Sequence, residues 1–142
     1  EIGRTSPVVE VRGWGDDAAV HADLATAGFG YLPLPFDAQH YRFVKYSLST
    51  KMVSYLGSGL PILYHGPRDA AACELLERHE AAVVVDSLDP DALCRGWKEL
   101  VDRRGELAAN ARRLAAEQFD AQVVRRRFWD VMSGAGRTTK AS

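Results

Sequence analysis

Two short apolar runs constrain this chain more than any other feature: Pro61-Ile62-Leu63-Tyr64, and Ala81 to Asp86, AAVVVD. The second is continuous and bounded by polar residues, with no alternation that would leave one face to water. Such a run fits a parallel strand covered on both faces, and the first reads as a buried strand too. Between them Gly66-Pro67 makes a turn, and Arg68 to His79 reads as a helix around Ala72, Leu75 and Leu76. Strand, helix and strand in this order make a crossover unit, for which the right-handed connection is the rule.

The same alternation extends both ways. Upstream, Val8, Val9 and Val11 make a short β-branched strand closed by Gly13 and Gly15. Asp16 and Asp17 are candidate caps for a helix through about Ala27, with Val20, Leu24 and Ala27 on one face. Gly28-Phe29-Gly30 breaks it, and Tyr31 to Leu34 is strand-like, with Pro33 forcing its end. Phe36 to Ser47 reads as an aromatic and polar loop, of a length that is usually functional or mobile. Downstream, Asp89-Pro90 opens a helix carrying Leu93, Trp97, Leu100 and Val101. Gly105 separates it from a helix over Leu107 to Gln118, and Gln122 to Met132 forms a last one. Composition predicts a loose lead-in over Glu1 to Ser6 and a small, polar, disordered tail over Ser133 to Ser142. The order β-α-β-α-β-α-β, then helices, predicts an α/β fold: a parallel Rossmann-like sheet flanked by helices, one domain over residues 1–132. Ligands of such sheets bind outside the carboxyl ends of the strands, at helix N-termini.

Composition excludes several classes. A length of 142 residues, 46% hydrophobic and 26% charged, describes one ordinary globular domain. A net charge of −1 gives no general attraction to nucleic acid or to an anionic membrane. Cys73 and Cys94 lack CxxC spacing and fit buried thiols in a reducing, cytoplasmic setting better than a disulfide or metal framework. His21, His40, His65 and His79 form no HxxxH or HExxH pattern, so no metal is expected. No apolar run approaches the roughly 20 residues of a membrane span, and no signal peptide is recognisable. A start at Glu1, nearly at a strand, fits an excised piece of a longer protein.

The stretch most able to carry chemistry is Ser47 to Tyr64, SLSTKMVSYLGSGLPILY. Ser49 or Thr50 is a good N-cap, and Met52, Tyr55 and Leu56 give the following run an apolar face. Gly57 and Gly59, with Pro61 beyond, stop the helix and serve the turn. A helix start offers free N–H groups and a partial positive charge, which together suit phosphate. Lys51 in the first turn opposes the helix dipole; it is either solvated or placed there to meet an anion.

This stretch resembles the segment of GT-B glycosyltransferases, especially the retaining GT4-like group, in which a Ser-Lys element opens a helix ending in small-Gly-x-Pro and a strand. Val8 to Trp14, Ala22 to Pro35, Asn110-Ala111-Arg112 and Phe119-Asp120 resemble further elements of that family's C-terminal domain, so the likeness spans roughly Pro7 to Met132. It implies the C-terminal half of a GT-B fold, holding a nucleotide-diphosphate sugar as donor substrate without metal or other cofactor. By the same likeness Ser49, Thr50 and Lys51 meet the diphosphate, and Gly13 and Trp14 sit where the family has its base-binding turn; for Trp14 a packed tryptophan at the sheet edge is the other reading. His65, at a strand's carboxyl end, is either a ligand contact or a solvated loop histidine. The family's two ribose-binding and upstream glutamates fall on Ser54 and Tyr46, so the Glu-x7-Glu signature is absent. Its arginine-lysine pair and N-terminal acceptor domain would precede Glu1, so this chain alone is expected to be inactive. Arg125-Arg126-Arg127 is a basic helix face, open to solvent, to a partner domain or to peripheral membrane contact. The alternatives are a non-catalytic Rossmann-like nucleotide-binding or interaction domain and, less well matched, a response-regulator-like domain; the latter needs an acidic cluster where only Glu10 stands.

Overall fold

The structure, a computed structural model, describes residues 9–13 and 15–134. Val8, Trp14 and the expected tail from residue 135 onward lie outside the described residues. The elements are α1 (Asp17–Thr26), β1 (Gly30–Pro33), α2 (Tyr41–Tyr46), α3 (Thr50–Gly57), β2 (Ile62–His65), α4 (Ala71–Arg78), β3 (Ala82–Val85), α5 (Pro90–Asp102), α6 (Arg104–Leu114), a π-helical turn (Ala115–Phe119) and α7 (Ala121–Met132). The strands form one parallel sheet in the order β1-β2-β3, with Gly30 opposite Ile62 and Ile62 opposite Ala82.

The two apolar runs become the middle and last strands, and alternate residues divide them between two cores. Ile62 and Tyr64 join Leu32 on one face, under Val44 of α2, Met52 and Leu56 of α3, Cys73 and Leu76 of α4, and Ala111 and Leu114 of α6. Leu63, Val83 and Val85 face the other way, onto Leu100 of α5 and Leu107 of α6. The fold is therefore α/β, a parallel Rossmann-like sheet with helices on both faces. At Gly96 a Cβ would come within 2.5 Å of Val85 Cγ2, so only glycine lets α5 lie this close to the sheet. Gly59 has φ +67° and would direct a Cβ into Arg112, which ties the end of α3 to glycine. Gly57 carries no such demand.

Several boundaries differ from expectation. Residues 9–13 form no strand, and Val9 and Val11 are exposed. A β-branched triplet is held extended only by a neighbour's ladder, and among the described residues none lies beside it. Asp16 caps α1 by accepting from Ala19 N–H at 2.9 Å. That helix buries none of its residues, and Ala27 lies past its end. The expected loop from Phe36 contains α2, anchored by buried Val44; Asp37 Oδ1 accepts from His40 N–H and closes the turn leading into it. Gly105 lies inside α6, and a Cβ there would meet nothing within 4 Å, so no break is required at that position. The break falls at Arg103, whose guanidinium spans Glu99 on α5 and Glu106 on α6.

Candidate functional site

A helix that crosses between parallel strands runs back against them, so its first turn lies at the sheet's carboxyl edge. The starts of α3, α4 and α5 are therefore on one edge with the ends of all three strands. There β1 leads into Leu34, Pro35, Phe36 and Asp37, β2 ends at His65, and β3 leads into Ser87 and Leu88. Tyr31, Pro33 and the segment from Leu34 to Asp37 line, with His65 and Leu88, a groove of about 540 Å³.

His65 is the polar centre of that groove. Register sets Pro33 opposite His65, so Tyr31, two residues earlier, projects from the same face of the sheet. Tyr31 Oη lies 2.7 Å from His65 Nδ1, and His65 Nε2 lies 2.9 Å from the carbonyl of Ser87. A carbonyl only accepts, so Nε2 carries the proton in the neutral ring and Nδ1 accepts from the tyrosine O–H. The Phe36 ring meets His65 at 5.4 Å and 63°. At the groove's lip, Asp37 pairs with His40 at 2.7 Å, and that hydrogen bond holds its carboxyl below the usual carboxylate range. Such a groove supplies an apolar wall, one phenol oxygen with a free lone pair and one carboxylate, a set suited to a hydroxyl-bearing ring.

The α3 start presents the second part. Ser49 stands at the N-cap with extended backbone, but its hydroxyl makes no capping bond. Thr50 and Lys51 are exposed, and among the described residues Lys51 makes no ion pair. Ser54, one turn further, donates its hydroxyl to the Thr50 carbonyl at 3.3 Å. Tyr46 is exposed at the end of α2. Ser49, Thr50, Lys51 and His65 thus share the carboxyl edge. Gly13 does not line the groove; it is exposed, and a Cβ there would meet nothing within 4 Å. Trp14 lies outside the described residues.

Lys45, by contrast, is engaged. Tyr41 Oη donates to Asp69 at 2.6 Å and accepts from Lys45 Nζ at 2.9 Å, and Lys45 stands 3.4 Å from Asp69. The Tyr41 bond, then Lys45, keeps the Asp69 carboxyl low, and the same tyrosine first, then Asp69, raises the lysine. This cluster joins α2 to the loop before α4, so its polar groups satisfy one another.

A second cavity of about 510 Å³ lies over the same sheet face, lined by Phe29, Tyr31, Leu63, Leu93, Cys94, Trp97 and Lys98. Its walls are aromatic and aliphatic with one ammonium, which gives a diphosphate too few donors. Among the described residues no three His, Cys, Asp or Glu side chains converge as metal ligands would. Tyr31, Phe36 and Leu88 escape a reading along the chain because they meet His65 only through strand register and loop closure. The one local signal is the spacing of Tyr31 and Pro33 on one strand face. No family model, no curated protein and no solved structure matches the chain.

Proposed function

We propose that this chain is the donor-binding part of a GT-B, GT4-like glycosyltransferase, and that the complete enzyme moves a sugar from a nucleotide-diphosphate donor to an acceptor. The observation that carries the reading is the convergence on one sheet edge of an uncapped helix start bearing Lys51 and an aromatic-walled groove centred on His65. In this reading the diphosphate sits at the α3 start, met by backbone N–H groups, Thr50 and Lys51. The groove takes a ring of the same ligand, with Tyr31 and Asp37 accepting from its hydroxyls. Transfer itself requires an acceptor domain and a cationic pair to neutralise the leaving diphosphate. The donor half alone therefore binds without turning over, in the cytoplasm.

Calorimetric titration with UDP, GDP and their sugar conjugates tests this. Saturable binding of one nucleotide is expected, weakened about 10- to 100-fold in Lys51→Ala, the range for loss of a charge-assisted hydrogen bond. Absence of binding by any of them would overturn the donor-site assignment. A second reading, a non-catalytic nucleotide-binding or interaction domain, is favoured by one observation: a serine turned onto its own helix and an exposed tyrosine occupy the positions where carboxylates would hold ribose. Tight nucleotide-sugar binding by the full-length protein with no sugar transfer would select it.

A further inference from the structure

The last helix, α7, is amphipathic with its apolar side outward. None of its residues is buried, and Val124, Phe128, Val131 and Met132 follow helical spacing along one stripe, with Trp129 at its border. The exposures are large: 55% for Phe128, 61% for Trp129 and 75% for Val131. Phe128 and Trp129 pack edge to face at 5.4 Å, forming a single aromatic ridge. Arg125 and Arg127 flank this stripe on its two sides, while Arg126 falls with Asp130 on the opposite side of the helix. Their hydrogen bonds go to neutral groups: Arg125 to Gln122 Oε1, and Arg127 to Gln118 Oε1 and the Glu117 carbonyl. No carboxylate among the described residues pairs with them, so the helix presents uncompensated positive charge beside exposed aromatics.

We propose that α7 docks in the plane of an anionic lipid surface, with the Phe128–Trp129 ridge in the headgroup–acyl boundary and the flanking Arg125 and Arg127 on phosphate headgroups. An apolar stripe of aromatic and aliphatic residues bordered by Arg is the residue set of interfacial helices. The shape of the patch favours a bilayer over a protein partner. A 12-residue helix is about 18 Å long and about 10–12 Å wide, so its stripe covers on the order of 200 Å². That is well under the ~800 Å² per partner of a stable protein interface. A fluid bilayer accepts an isolated convex ridge without needing a complementary groove. The proposal is independent of the donor-site reading, because α7 does not line the carboxyl-edge groove.

Co-sedimentation of the whole chain with vesicles tests it, comparing phosphatidylcholine alone with phosphatidylcholine mixed with phosphatidylglycerol. Binding is expected only to the anionic vesicles and declines as salt is raised. Phe128→Ser/Trp129→Ser and Arg125→Glu/Arg127→Glu should each weaken partitioning about tenfold or more, with unchanged circular dichroism, since these side chains are exposed. No binding to anionic vesicles, or binding that neither variant reduces, would overturn the proposal. Concentration-dependent self-association abolished by Phe128→Ser/Trp129→Ser, without vesicle binding, would also overturn it and assign the face to a second copy.

Discussion

Asn110 shows how one buried polar side chain fixes a turn. It is 8% exposed, and its Nδ2 donates at 2.9 Å to the carbonyl of Glu80, a non-glycine residue at φ +50°. The left-handed backbone directs that carbonyl at α6 rather than at water, and α4 stops where β3 begins. Asn110→Ala should destabilise the chain by about 0.5–1.5 kcal/mol, the net worth of an intramolecular hydrogen bond, read from urea denaturation. The two cysteines separate at the same scale. Cys73 is buried under the sheet, and burial pushes its thiol up to about 12, whereas Cys94, expected to be buried as well, is exposed on α5. A thiol reagent at pH 8 should modify Cys94 rapidly and Cys73 only on unfolding, since the thiolate is the reactive form. Rapid reaction of both would contradict the packing of Cys73.

At the scale of elements, α2 is six residues long and could not persist in isolation. It is fastened by buried Val44 from below and by the Tyr41–Lys45–Asp69 cluster at its side. Asp69 is lowered in the folded state, so its contribution is whole above its ordinary value of 3.8 and fades as pH falls below it. Lys45 is raised, so its contribution is whole below its ordinary value of 10.5 and is lost as pH rises through the folded value. Amide protection factors in α2 should hold from about pH 4 to pH 10 and drop below pH 4 before the sheet opens. Asp69→Asn should show the low protection already at pH 6. Unchanged protection in that variant would mean that Val44 alone holds the helix. The open edge of β3 is likewise managed by charge: Arg68 reaches both Glu77 and Asp86, and Glu99 pairs with Arg103. Such side chains discourage a further strand from pairing there.

The whole molecule separates two kinds of surface. The carboxyl edge gathers loops and helix starts into a groove with polar groups at its centre and lip, where a small polar ligand gains several donors at once. Away from that groove, α7 packs on the π-helical turn and carries an apolar face that nothing among the described residues covers. The apolar cavity lies between the sheet and α5, lined by Tyr31 and Leu63 on one side and Leu93 and Trp97 on the other. Nucleotide titration and vesicle binding therefore probe separate regions, and either can fail while the other succeeds.

Local chemistry was enough for much of this. The runs at Ile62 and Ala82, the Asp16 and Asp89 caps, Pro90 and the left-handed Gly59 act within a few residues, so spacing alone located β2, β3, α1, α5 and the end of α3. The parallel sheet and the edge carrying Ser49, Thr50, Lys51 and His65 followed from their alternation. Tertiary structure alone decided the rest, because the groups concerned are far apart in sequence. Tyr31 reaches His65 across 34 positions, Tyr41 reaches Asp69 across 28, and Asn110 reaches Glu80 across 30. Val9 and Val11 show the converse: a strand-like composition stays without a strand where, among the described residues, no ladder partner stands beside it.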